Sequence, residues 1–151
     1  MKHNQNSGNS FFVEIILVIL FFAISASVTL QLFLLANNRA RQSSDLSTAV
    51  IKSEDIAEQL NGLSSADNLP KVLENATHTG SKGAEHYLLG FDRQWNEAAT
   101  DPRYVIDVVL KKTPSAGGTL VSADITVTRK NKDKEEPVYT LNSAKYLPKS
   151  S

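Results

Sequence analysis

One carboxylate, Glu14, stands inside the apolar run Ser10-Phe11-Phe12-Val13-Glu14-Ile15-Ile16-Leu17-Val18-Ile19-Leu20. An acid left unpaired at the centre of hydrocarbon costs about 2.5–3.5 kcal/mol on insertion scales. Two chemistries relieve that cost. A cationic partner neutralises the acid and makes it an assembly residue, or the side chain reaches the headgroups, since Glu14 lies one turn from the start of the run. Both readings stand at this point. The other candidates for chemistry are weaker. His3, His78 and His86 are scattered, with none at ligand spacing, so neither a metal centre nor a cofactor is expected. No nucleophile elbow, phosphate cradle or H-E-x-x-H motif occurs, and no spacing of Ser, His and Asp nominates a triad, so the chain is not expected to be an enzyme. Asp92, Asn96, Glu97 and Asp101 crowd a segment beside Trp95. Loop oxygens of that kind suit calcium, although the spacing is not that of an EF-hand. The alternative is a polar turn with Trp95 covering a sheet edge.

The sixteen basic and sixteen acidic residues balance, which gives no electrostatic footprint for nucleic acid. The mixed-sign run from Arg129 to Glu136 reads as a solvated hairpin tip. With no cysteine in the chain, disulfides, thiolate metal sites and cysteine nucleophiles are excluded.

The elements that must position these residues follow from a segregated composition. Residues 1–10 form a polar, leader-like segment, and 11–36 are nearly all apolar. As a helix, that stretch is long enough to cross a hydrocarbon core of about 30 Å. It continues well beyond the small residues Ala23-Ile24-Ser25, as a retained anchor does and a cleaved signal does not. Lys2 on one side, against Arg39 and Arg41 on the other, leaves orientation unset by charge. Within the span, Gln31 and the set Ser25, Ser27 and Thr29 bond either across helices or back to their own carbonyls, the second being preferred.

No proline or glycine interrupts the chain from Ser10 to Asn61, so one continuous helix is expected, with Gly62 as its terminator. Over 37–63 it becomes amphipathic. Leu46, Ala49, Ser53, Ile56, Leu60 and Leu63 form a stripe widened by Val50 and Ala57, and Asp45, Lys52, Glu54, Asp55 and Glu58 mostly lie off it. Residues 64–83 read as a loop with a helical turn around Leu69–Leu73, closed by Gly80 and Gly83. The period then changes to two around Tyr87–Phe91, Tyr104–Leu110, Val121–Val127 and Tyr139–Leu141. The expected fold is α+β: a long N-terminal helix, half membrane-spanning and half amphipathic, packed on a three- to four-stranded antiparallel sheet formed by 64–148.

A polar leader, then Phe-Phe-Val-Glu opening a hydrophobic helix, then an antiparallel sheet: this layout resembles the type IV pilin and pseudopilin superfamily, and most of all a divergent Gram-positive pilin-like protein. In sequence the likeness is confined to GNSFFVEIILVILFF. The resemblance implies leader removal by a dedicated aspartic peptidase after a glycine, leaving phenylalanine first and glutamate fifth. Here the cleavage region is Gly8, Asn9, Ser10 and Phe11. A cut after Gly8 makes Glu14 sixth, a cut after Asn9 makes it fifth, and a cut after Ser10 leaves Phe11 first and Glu14 fourth. The proline that kinks many pilin helices is missing, so a straight helix is expected. By the same resemblance Glu14 pairs with the freed amine of the adjacent subunit. The implied role is that of a minor structural subunit of a type IV pilus or type II-like secretion filament, anchored in the cell membrane by a single pass, with its C-terminal domain extracytoplasmic. Its partners would be other pilin-like subunits, the prepilin peptidase, the assembly machinery and membrane lipid. A stand-alone membrane-tethered binding or regulatory module is the alternative.

Overall fold

The first helix breaker after Ser10 is Gly62, and the helix stops in front of it. In the computed structural model, α1 spans Asn6–Asn61, 56 residues that include Gly8, Asn9 and Ser10. The structure describes residues 6–65, 68–81, 84–131 and 134–149; Lys2, His3, Gly83 and the hairpin-tip residues Lys132 and Asp133 lie outside them. The chain divides into two compact units, Met1–Ser43 and Ser44–Ser151. In the first unit, every residue from Ser10 to Ser43 is exposed, the large apolar side chains included.

The second unit holds the rest of α1 and a five-stranded meander: β1 Thr77–Ser81, β2 Ala84–Phe91, β3 Tyr104–Ser115, β4 Gly118–Asn131 and β5 Lys134–Pro148. Neighbours in sequence are neighbours in the sheet, and all four pairings are antiparallel. The register stacks apolar residues in rows across the strands. Leu89 faces Ile106, Ile106 faces Val127 and Val127 faces Tyr139; a second row runs Tyr87, Val108, Ile125 and Leu141. Ile106, Val108, Ile125 and Val127 are wholly buried under α1, which contributes Ala49, Ser53, Ile56, Ala57 and Leu60. Each large apolar side chain so buried is worth about 1.5–3 kcal/mol relative to exposure.

The α+β architecture is as expected, but the sheet has five strands rather than three or four. β1 lies in the segment read as a loop. Its sequence, Thr-His-Thr-Gly-Ser, shows no apolar alternation because it is an edge strand paired on one side only. β3 and β4 also run further than their apolar stretches, meeting at a two-residue turn, Ala116-Gly117, with Pro114 paired opposite Thr119. The helix stripe needs correction as well. Leu46 is 44 % exposed, whereas Asp45 and Lys52 turn toward the sheet. At that level the sheet presents Arg129, which draws Asp45 inward and leaves Leu46 on the flank.

The far edge, β5, is blunted by Pro137, by Pro148 and by a bulge in which Val138 is the extra residue. One residue of β5 also finishes the helix. α1 carries no basic residue in its last turn. Lys145 supplies the missing cation, its Nζ donating to the carbonyl of Asn61 and, at 2.7 Å, to that of Leu63.

Candidate functional site

Glu14 lies on the surface of α1 in a shallow groove of about 310 Å3, formed with Phe11, Ile15, Val18 and Ile19. Its neighbours are apolar because it interrupts an apolar run, and its carboxylate has no partner among the described residues. The cleavage-region residues Gly8, Asn9, Ser10 and Phe11 are helical in backbone and continuous with it. A second groove of about 520 Å3 is floored by Ser25, Ala26 and Thr29 and walled by Phe22, Leu30 and Phe33. Ser27 and Thr29 bond back to the carbonyls of Ala23 and Ser25, each at 2.9 Å, as preferred for them. Gln31 does not. Its side chain is exposed and has no hydrogen-bond partner among the described residues. α1 is long and apolar enough to cross a membrane.

The oxygen-rich loop after β2 is braced from within. Asp92 Oδ1 accepts from the backbone N–H groups of Gln94 (2.8 Å) and Asn96 (3.0 Å), and Oδ2 accepts from Asn96 Nδ2 at 3.2 Å. Those donors, the Asn96 backbone first, hold the Asp92 carboxyl below its ordinary range. Trp95, at a φ of 63°, stacks on Tyr104 with ring centroids 4.1 Å apart and tilts against Phe91. The loop lies close over Gly90, where a Cβ would collide with the carbonyl of Ala98. Among the described residues no three His, Asp or Glu side chains gather into a metal-binding group. The described histidines are apart as well: His78 stacks on Tyr87, while His86 sits 3.3 Å from Asp107 on the opposite face of the sheet.

The strongest electrostatic arrangement was not singled out in the sequence. Arg129 is 3.5 Å from Asp45 of α1 and 2.7 Å from Glu136 of β5. Arg129 and Asp45 are each only 19 % exposed, so the Arg129 end of the supposed solvated tip is in fact turned inward. The Glu136 contact, chiefly, raises the arginine further and lowers the Glu136 carboxyl. Burial, then a hydrogen bond with Asp45, pushes the Tyr104 phenol up. Burial, helped by a 2.9 Å bond to Glu85, pushes Tyr87 up to about 12. Lys52 Nζ sits 4.3 Å from the centroid of the Phe91 ring. A usable signal was present: Arg129 continues the alternation Val121, Ala123, Ile125, Val127 by one more step, which places it on the helix-covered face.

Arg129 with Asp45, and Lys52 with Phe91, fasten the helix to the sheet. The chain matches no protein-family model, no curated protein and no solved structure.

Proposed function

We propose that the chain is a pilin-like, membrane-anchored structural subunit, a minor component of a type IV pilus or type II-like secretion filament. One observation carries this reading. In α1 an apolar stretch exposed on every side is continuous with a stretch that packs on an antiparallel sheet. A helix that is apolar all round must be covered by lipid or by other helices. A filament subunit uses both coverings in turn, first in the membrane and then in the bundled core. Under this reading Glu14 is the assembly residue, and the sheet domain is extracytoplasmic and carried at the cell surface by the filament. The partners are further pilin-like subunits, a prepilin peptidase, the assembly machinery and membrane lipid.

Glu14→Ala is expected to leave membrane insertion intact and to abolish crosslinking between neighbouring subunits of the filament. Unchanged crosslinking would remove the assembly role. Mass spectrometry of the mature N-terminus is the companion measurement, with loss of a segment ending between Gly8 and Ser10 as the expected result.

A second reading, a single-pass tether carrying a binding or regulatory module, draws on the placement of Glu14. Helical side chains lean toward the N-terminus, so Glu14 leans toward the nearer end of its span and reaches water without a partner. An intact Met1 would favour the tether.

A further inference from the structure

The lean of side chains along a helix separates Glu14 from Gln31, two polar side chains of the span without a hydrogen-bond partner among the described residues. Residues 11–36 extend about 39 Å as a helix, with the midpoint between Ala23 and Ile24. Glu14 lies about 14 Å from that midpoint, at the edge of a hydrocarbon layer whose half-thickness is about 15 Å, and its side chain leans outward. Gln31 lies about 11 Å from the midpoint in the other half, where the same lean carries its carboxamide inward, toward the bilayer centre. Glu14 reaches headgroups by extending; Gln31 would have to fold back against its own helix. A hydroxyl at this depth satisfies itself on the preceding turn, as Ser27 and Thr29 do, but the carboxamide of Gln31 has found no such bond. An amide left alone in hydrocarbon is costly.

We infer that Gln31 is the contact point of a parallel helix pair formed in the membrane by two copies of this chain. A carboxamide carries both donors and an acceptor, so two of them at equal depth satisfy each other reciprocally. Every copy inserted with the same orientation brings Gln31 to the same depth. The surrounding face suits such a pair. Leu17, Ile24, Gln31 and Asn38 recur at intervals of seven, which places a second carboxamide one heptad on, where the run of apolar residues has ended. A polar residue at a position of that repeat fixes register and favours two parallel strands. The groove walled by Phe22 and Phe33 lies roughly half a turn round the helix from Gln31 and stays free for lipid. This inference rests on the membrane span alone and not on the filament.

The chain has no cysteine, so single substitutions in the full-length protein report the contact directly. Ile24→Cys and Val28→Cys lie on the Gln31 face, and Phe22→Cys and Phe33→Cys lie opposite. Oxidation in membranes that resist carbonate extraction is expected to give disulfide-linked homodimer from the first pair and little from the second. Adding Gln31→Leu to Val28→Cys is expected to lower the dimer yield by about three- to thirtyfold, the range of interhelical hydrogen bonds in lipid, while Gln31→Asn keeps most of it. Adding Glu14→Ala is expected to change nothing, which distinguishes this pairing from filament assembly. Equal yields on all faces, a maximum at Phe33, indifference to Gln31→Leu, or a crosslinked band containing another protein would each overturn the inference. Release of the chain by carbonate would overturn it together with the membrane reading.

Discussion

At the scale of single residues, Arg129 holds the helix to the sheet. It lies between Asp45 and Glu136, and its removal would strand a mostly buried carboxylate beside Tyr104. Arg129→Ala is therefore expected to destabilise the sheet unit by about 1–3 kcal/mol, the cost of losing charge-assisted hydrogen bonds and leaving Asp45 without its cation. The single tryptophan, Trp95, is stacked on Tyr104 of the same cluster, so its emission during urea unfolding in detergent reports the change. Titration gives the sign of the pH dependence. Glu136 and Asp92 have lowered values in the fold. Their contribution is present above the unfolded carboxyl range and is lost as pH falls through the lower, folded values. Tyr87 and Tyr104 are raised, Tyr87 to about 12. Their contribution is full below about 10, the unfolded value, and drains away as pH rises through the higher, folded values. The Trp95-monitored urea midpoint should accordingly form a plateau near neutrality that falls at both ends. A midpoint that rises above pH 10 would contradict the burial of both phenols.

At the scale of elements, α1 approaches the sheet through Ala49, Ser53 and Ala57, small residues one turn apart and each buried. Ser53 is wholly covered, and its hydroxyl has no hydrogen-bond partner among the described residues. Ser53→Ala removes that unmet group and is expected to raise the urea midpoint, by up to about 1–2 kcal/mol in stability. Ser53→Leu is expected to lower it by about 1–3 kcal/mol by forcing the helix off the sheet. Equal effects from the two substitutions would mean that the helix does not seat closely at this point. These small residues also explain what the sequence could and could not disclose. The stripe from Ala49 to Leu60 was readable because a helix that covers a sheet must repeat its apolar face every three or four residues. Leu46 misled for the same reason, since periodicity cannot tell that Arg129 waits opposite Asp45. β1 was unreadable because an edge strand with one neighbour needs backbone pairing, not apolar alternation.

At the scale of the whole molecule, the two patterns that dominate the sequence, period 3.6 and period two, were enough to give the α+β class, because they record which faces must leave water. The candidate residues were legible unevenly. Glu14 stood out by contrast with its surroundings, whereas Gln31 was visible in the sequence but was read as bonding back to its own helix until side-chain direction was considered together with depth. Arg129 needed the exact inward step of β4. One further consequence follows from Lys145, which completes the carbonyl end of α1 from the last strand of the sheet. Synthesis delivers Asn61 some eighty residues before Lys145. A nascent chain thus carries its helix end uncapped until β5 has been made. Any premature stop ahead of that lysine yields a product in which the carbonyls of Asn61 and Leu63 are left without that cation.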